Sequence, residues 1–300
     1  MAFRSLISSS PTKPKSQVRQ YAPSAKINNL LVQNFHSTTL LLVGAILQGF
    51  LVLAIPRYWT LLPSLIILLV QFVDSLAITL KLRPNPYLEG AIKRWTTIVP
   101  DTDGNFSDQP ADEKVAVLLL CIKLNHPLGF FAPNVKAVND FAEKMIIELD
   151  DQAPNNGFLG QSQWHSTDAK GASEIMLLSY WRSIDDVHNY AAGPLHTQTT
   201  MHWNAMVHKD ADGMKHIGIS HEVFEAPRSR WEAVSIHFQP TRLGATSYLR
   251  KGDKLVGGNV EDQWVSPVVE AKGRLRNSKG RLNWAGNGNR SSSDSGDEKH

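Results

Sequence analysis

The clearest pattern in the 300-residue chain is a pair of long apolar runs near its N-terminus. The first, TLLLVGAILQGFLVLAI (39–55), has no charged residue, and the second, WTLLPSLIILLVQFVDSLAITL (59–80), has only Asp74. A helix needs roughly 20 apolar residues to span a bilayer, and three residues separate the runs. The pattern predicts a transmembrane helical hairpin over 38–80. Two buried core helices are the alternative, although core helices usually carry a polar stripe that these runs lack.

Basic residues flank this hairpin on both sides. Five basic residues and no acidic residue occur in 1–37, and four basic residues follow the second run within 81–94. Lysine and arginine are enriched in the cytoplasmic flanks of membrane helices. We therefore expect both ends of the hairpin, and the domain that follows it, to face the cytoplasm. We also expect 1–37 to be a disordered basic N-terminus, with a transit peptide as the alternative.

The pattern changes after the hairpin to alternating strands and helices. Residues 81–113 contain four prolines and predict a linker with one short helix over Glu89–Val99. Strands are predicted from alternation and from short apolar runs at 115–123, 158–166, 174–182, 216–224 and 230–238. Amphipathic helices are predicted at 133–151, from Ser183 as N-cap to Gly193-Pro194, and over 195–207.

This order of elements predicts an α+β fold for residues 114–246. The sequence β-α-β-β-α-β-β contains the ferredoxin-like split βαβ arrangement, an antiparallel sheet with helices on one face. The second face of so apolar a sheet would be left in water, which predicts a homodimer that pairs the sheets. Residues 247–300 are predicted to be a C-terminal extension, mostly disordered, because its end is low-complexity polar sequence.

Composition narrows the function. A formal net charge of +3, without interleaved basic and aromatic residues, gives no support for nucleic-acid binding. A single cysteine, Cys121, allows no internal disulfide. The chain has no GxGxxG after a strand, no Walker loop, no CxxC and no HExxH, so no flavin, nicotinamide or metal site is predicted.

Histidines and aromatic residues predict a pocket for an apolar small molecule. His221 shares a face of its predicted strand with three apolar residues, where desolvation would keep an imidazole neutral and able to accept a proton. His221 is the first candidate for a general base and His196 the second, while a hydrogen-bonded core histidine is the alternative for His221. The predicted substrate-contacting residues are Trp164, Trp181, Tyr190, Trp203, Asn204 and His237.

One stretch resembles a known family. GISHEVFEAPRSRWEAVSIHFQPTRLG (218–244) resembles the C-terminal signature of the fumagillin-pathway-type monooxygenase-like family. It departs from the pattern at Arg242-Leu243-Gly244, where the family has Gly-Leu-Ala. Two further family motifs are matched here. Trp181, Arg182, Ser183, Asp186 and Val187 match the first, and Pro194, His196 and Trp203 match the second. Together with the stretch above, the resemblance covers about 113–246.

The resemblance implies a fold, an activity and alternatives to that activity. The family is grouped with the dimeric α+β barrel (antibiotic-biosynthesis monooxygenase-like) superfamily, which implies a cofactor-independent monooxygenase acting with O2 on an apolar or conjugated substrate. It also implies secondary metabolite biosynthesis, of polyketides or terpenoids. One alternative is a haem-dependent enzyme of the same fold, a dehydratase or oxygenase, with His196, His202 or His221 as axial ligand. Haem-degrading relatives place that ligand where this chain has Thr200. The other alternative is a non-catalytic membrane protein that binds a small ligand.

Overall fold

The computed structural model describes residues 3–20, 28, 30–32, 34–168, 171–252 and 261–283. The two apolar runs form helices α1 (Ser37–Ala54) and α2 (Arg57–Thr79). Gln48 Nε2 donates to the Thr60 carbonyl at 3.1 Å and joins them. Both helices are long and apolar enough to cross a membrane, and the described residues bury neither of them. The predicted helices are confirmed, and the alternative of two buried core helices is wrong.

The domain after the hairpin has the predicted α+β order and forms one antiparallel sheet with the strand order β3-β4-β2-β5. This order is that of the split βαβ arrangement, so the predicted ferredoxin-like core is confirmed. Elements are numbered in chain order, and β1 is the strand Ile92–Thr97, described below. The elements of this domain are β2 (Val115–Leu124), α3 (Val135–Asp151), β3 (Phe158–Thr167), β4 (Ser173–Trp181), α4 (Ile184–Ala191), α5 (Pro194–Lys209) and β5 (Ile217–Ala226).

Local sequence explains where the second helical region begins and breaks. Ser183 Oγ accepts from the Asp186 backbone N–H at 3.2 Å, the capping contact predicted for this Ser-x-x-Asp stretch. The helix α4 ends before Gly193, and Pro194 opens α5 at a position where its missing N–H costs nothing. Single helical turns also occur at Ala153–Asn156, Ala211–Met214 and Ser278–Arg281.

Helices cover one face of the main sheet and leave the other more open. The helix-covered face packs a core against α3 and α4, and this core includes Ala116, Leu149, Phe158, Trp181 and Val187. Helix α5 packs against a second core near the other end of the strands. On the second face, here called the open face, the C-terminal residues cover only the end near Val115, Leu159 and Tyr248. Large apolar side chains remain exposed further along the open face, and two of them are Trp164 and Phe224.

A second sheet replaces part of the predicted linker. Residues Ile92–Thr97 form strand β1, which lies between β6 (Val234–Phe238) and β9 (Val268–Glu270). The short helix predicted for Glu89–Val99 is therefore wrong. Its residues are rich in threonine, valine, isoleucine and tryptophan, which favour a strand, and Trp95 is buried against Gly244. The predicted strand 230–238 is shorter than expected and pairs with β1 instead of the main sheet.

The C-terminal extension is ordered over much of its length. Strands β7 (Tyr248–Arg250) and β8 (Gln263–Val265) pair with each other, and β9 completes the second sheet. The prediction of a mostly disordered extension therefore fails for 261–283. Residues 253–260 and 284–300 of that prediction lie outside the described residues.

The N-terminal residues 3–20, here called the strap, pack against the domain. Ser5 and Ser10 form bridges to Val269 of β9 and Trp264 of β8. Lys13, Ser16 and Arg19 all bind the carboxylate of Asp150 at the end of α3. The expectation of a disordered N-terminus does not hold for the strap, because a buried acidic group supplies the partner that its basic residues need.

Candidate functional site

The largest described cavity is a cleft of about 970 Å³ between the helix-covered face of the sheet and helix α3. We call it the main cleft. Apolar side chains from both elements contribute to its wall, namely Ile122, Val135, Ala142, Ile146, Ile147, Ile175 and Leu177, and α3 also contributes Lys136, Asn139 and Glu143. Three segments line the rest of the cleft. Val18 and Arg19 come from the N-terminal residues 3–20, Leu30 comes from the chain before α1, and Phe130, Phe131 and Ala132 come from the loop before α3. A cleft lined by apolar side chains together with a set of polar ones is the usual form of a small-molecule site.

Strand β3 contributes a polar pair to this apolar wall, Gln163 and His165. Gln163 Nε2 lies 2.6 Å from His165 Nε2. His165 Nδ1 is buried and has no hydrogen-bond partner among the described residues. Burial lowers the pKa of His165 below its ordinary 6.5, since a charged ring would lose its hydration. The cleft therefore contains a neutral imidazole with one nitrogen held by an amide and the other unengaged.

The amide of Gln163 can hold either tautomer of this imidazole. Its Nε2 donates to a bare ring nitrogen, and its Oε1 accepts from a protonated one. When Oε1 accepts, Nδ1 carries the lone pair and can take a proton from a substrate. Gln161, two residues earlier on the same strand face, also has a buried Nε2 without a partner among the described residues.

Sequence reasoning missed His165 because of a β-bulge. Phe158 lies opposite Trp181, but the next pair is Gly160 with Tyr180, so Leu159 is an extra residue in the strand. One extra residue moves every later side chain to the opposite face. Simple alternation grouped Trp164 with Phe158, whereas Trp164 lies on the open face, 42% exposed. The alternating Gln-Ser-Gln-Trp-His stretch was the available signal, because it puts Gln161, Gln163 and His165 on one face.

Three of the predicted site residues lie together, although outside the main cleft. Trp181 is 1% exposed, donates from Nε1 to Ser179 Oγ at 2.9 Å and packs edge-on to Phe158. Its ring lies 5.8 Å from that of Tyr190, which lies 6.3 Å from that of His196. Tyr190 and His196 line a small polar cleft of about 230 Å³. Burial and the adjacent Glu148 raise the pKa of Tyr190 far above its ordinary value, so its hydroxyl stays protonated and donates to Glu148.

The other predicted residues are dispersed. His221 is on the helix-covered face, as alternation predicts, but β5 is an edge strand and the side chain is exposed. The side chain of His221 is therefore not enclosed by the apolar surroundings that alternation predicts for it. Trp203 packs in the core beside Met214, Asn204 is exposed, and His237 is exposed in the second sheet.

The histidines expected to bind haem do not meet in the main cleft. His196 lines the polar cleft, His202 packs against Phe141 at 4.7 Å between ring centroids, and His221 is exposed. Of the described histidines, His165 is the one that lines the main cleft, and the amide of Gln163 engages its Nε2. The predicted ligand set therefore does not fit a haem in this cleft.

Comparison with known proteins agrees with the sequence resemblance. Residues 115–243 match the model of the Monooxygenase af470-like family. The chain is 25% identical over 261 residues to Monooxygenase af470 of Aspergillus fumigatus, which covers 86% of this chain and 90% of that protein. Because the alignment covers 86% of this chain, it includes most of the two apolar helices as well as the ferredoxin-like core.

Solved structures give fold-level likeness only. An aldoxime dehydratase in complex with butyraldoxime aligns at 15% identity and a TM-score of 0.34, over 63% of this chain and 44% of that one. A variant of SnoaB, a cofactor-independent oxygenase from Streptomyces nogalater, aligns at 15% identity and a TM-score of 0.25, over 36% of this chain and 90% of that one. The resemblance drawn from the sequence motifs is confirmed by the family match, which covers residues 115–243.

Proposed function

We propose that this chain is a membrane-anchored, cofactor-independent monooxygenase-like enzyme that oxidises an apolar or conjugated small molecule with O2. The single observation that carries the proposal is the main cleft, in which the imidazole of His165, whose pKa burial lowers, lies among apolar side chains of the sheet and of α3. The family match supports the reaction class. The two exposed apolar helices support the anchor, and the basic flanks favour a domain on the cytoplasmic side. A polyketide or terpenoid of secondary metabolism suits the apolar wall.

His165 is proposed as the general base. A substrate with an acidic C–H or phenol would give its proton to Nδ1 in the tautomer that carries the ring proton on Nε2. This tautomer requires the Gln163 amide to be turned so that Oε1, in place of Nε2, faces the ring and accepts from Nε2–H. The resulting carbanion can pass electrons to O2. Oxidation of a CH2 group by O2 to a carbonyl and one water balances in atoms and electrons, so no external reductant is required. The apolar wall keeps water from the anionic intermediate.

The remaining site predictions stay part of the proposal as alternatives. His196, with Tyr190 and Trp181 beside it, is the second candidate for the base, and His221 is the third. Trp164 lies on the open face and Trp203 packs on the helix-covered side of the sheet, so we propose that these two do not contact one substrate molecule together. We also propose a homodimer that pairs the open faces of two main sheets.

One experiment separates this proposal from its alternatives. The full chain is purified in detergent, its optical spectrum is recorded, and O2 consumption is followed with a panel of conjugated phenols and polyketide- or terpenoid-derived substrates. We expect no Soret band and O2 uptake with at least one substrate. A Soret band that scales with protein favours the haem enzyme, and tight substrate binding without O2 uptake favours the non-catalytic ligand-binding protein.

A further inference from the structure

The rim of the main cleft is attached to the base of the membrane hairpin. The Phe130 backbone N–H donates to Asn34 Oδ1 at 2.7 Å, and the Phe131 ring lies 6.2 Å from that of Phe35. Gly129 has φ +50°, and a Cβ there would collide with the Asn34 side chain. The rim loop, residues 128–131, is therefore held closely against the chain just before α1.

This attachment places the rim near the level where α1 enters a bilayer. The helix α1 begins at Ser37, two residues after Phe35, with His36 as its N-cap. Its uninterrupted apolar run starts at Leu40, five residues beyond Phe35. At 1.5 Å of rise per helical residue, this is about 8 Å along the axis. Phe and Leu side chains of interfacial segments bury at this depth, at the boundary between headgroups and acyl chains.

The rim presents apolar side chains to its surroundings. Phe131 is 56% exposed and Leu128 is also exposed, as are Leu31 and Val32 before the hairpin. Together they continue the exposed apolar surface of α1 onto the domain. A patch of this kind that is continuous with a membrane helix fits a lipid surface better than water.

Residues of the rim loop and of the segment before the hairpin also line the cleft. Leu30, Phe130 and Phe131 line the main cleft, and the last of these is also exposed on the lipid-facing patch. We infer that the main cleft opens directly onto the bilayer, so that its substrate is a lipid-dissolved apolar molecule that enters between Leu30 and Phe131 without crossing water. This inference rests on the proposed function for the substrate, whereas lipid contact by the rim can be measured without any turnover.

The test measures lipid contact of the rim in the full-length protein. Leu128→Cys and Phe131→Cys are made in a Cys121→Ser background, labelled with an environment-sensitive fluorophore and reconstituted in phosphatidylcholine vesicles. Quenching is measured with lipids that carry a nitroxide near the headgroup end of the acyl chain. Because interfacial groups bury about 5–10 Å into the bilayer boundary, we expect roughly half of the emission at both rim positions to be lost.

Two control positions make the result decisive. Ile46→Cys lies in the middle of α1 and reports whether the hairpin is in the bilayer. Arg230→Cys is exposed near the opposite end of β5, ten strand residues or about 33 Å from the rim end, and we expect it to be unquenched.

Each outcome decides a separate question. Quenching at Ile46, Leu128 and Phe131, with none at Arg230, supports the lipid-facing mouth. If Ile46 is quenched while the rim positions behave like Arg230, the inference is overturned and the membrane anchor stands. An unquenched Ile46 overturns the anchor and the lipid-facing mouth together, but it leaves the oxygenase activity to be judged by O2 uptake.

Discussion

Two histidines on the same side of the sheet differ in burial, and their variants test which one acts as base. His165→Ala removes the neutral imidazole of the main cleft, and we expect turnover to fall by roughly 10²-fold or more, the usual effect of losing a general base. His221→Ala changes an exposed side chain on the edge strand, and we expect near-normal turnover. O2 uptake and melting temperature are measured on both variants. If the losses are reversed, so that only His221→Ala is inactive while folded, His165 is not the base.

The depressed pKa of His165 gives a second prediction, about pH. Burial favours the neutral ring, so the folded protein binds fewer protons than the unfolded chain as the pH falls below 6.5. The base remains deprotonated there, and we expect kcat/KM to stay high below the ordinary histidine pKa and to fall only at lower pH. Because the folded pKa of His165 is lowered, its contribution to the stability of the fold is fully present above pH 6.5 and is lost as the pH falls below 6.5. An acid limb centred above 6.5 would contradict a buried base.

Residue-level prediction from the sequence reached the right residue types but often the wrong surroundings. Alternation placed His221 on the correct face, yet it could not show that β5 is an edge strand and leaves the side chain exposed. Alternation failed beyond Leu159, because a bulge leaves no unambiguous mark in a single sequence. Capping at Ser183 was predictable because it depends only on neighbours within one turn.

At the scale of elements, the strap is attached to helix α3 by one buried carboxylate. Burial raises the pKa of Asp150, but the charge of Lys13 and the bonds from Lys13 and Ser16 outweigh it and hold the pKa below its ordinary 3.8. Because the folded pKa is depressed, this contribution to stability is present above 3.8 and is lost as the pH falls through the folded pKa. The side chains of Lys13 and Asp150 are both nearly inaccessible, so water cannot take the place of Asp150 beside the Lys13 ammonium group.

Neighbouring aspartates allow a matched test of this attachment. Asp150→Asn leaves Lys13 buried without its partner ion, and we expect the free energy of unfolding to fall by about 3–5 kcal/mol, with rapid proteolysis of the strap. Asp151→Asn removes only an exposed contact to Arg19, and we expect a change within about 1 kcal/mol. Denaturant titration and limited proteolysis measure both. Equal behaviour of the two variants would show that the buried pair does not hold the strap.

Elements with a long periodic pattern were predictable, and short ones that depend on distant partners were not. Helices α1, α2 and α3 and strands β2 to β5 have repeating apolar positions that identify them locally. Strands β7, β8 and β9 are three residues each, too short to show a period. The strap is ordered through Asp150, more than 130 residues away along the chain, a contact that no local pattern can indicate.

At the scale of the whole molecule, the open face of the main sheet predicts the oligomeric state. Trp164 is exposed there beside the guanidinium of Arg242, which stacks on it at 5.6 Å. We expect the full chain in detergent to be a dimer by light scattering corrected for bound detergent, and Trp164→Glu to shift it to monomer, since a charge would be buried against an apolar partner.

A variant on the helical side supplies the control for this prediction. Met201→Glu changes an apolar residue of α5 that is more exposed than Trp164, on the side of the sheet away from the open face, and we expect it to remain dimeric. The dimer prediction would be wrong if the unmodified chain were monomeric at micromolar concentration, or if both variants dissociated alike.

The bridges of the strap to β8 and β9 also constrain the order in which the molecule can be completed. The strap leaves the ribosome first, whereas Val269, which pairs with Ser5, is made 264 residues later. At a synthesis rate of about 5–20 residues per second, the strap waits roughly 10–50 s for these partners. If the hairpin is inserted during that interval, as the proposed membrane anchor requires, the strap has to remain on the side of the membrane where the domain is growing. A fusion that carries the N-terminus across the membrane would separate the strap permanently from β8, β9 and Asp150.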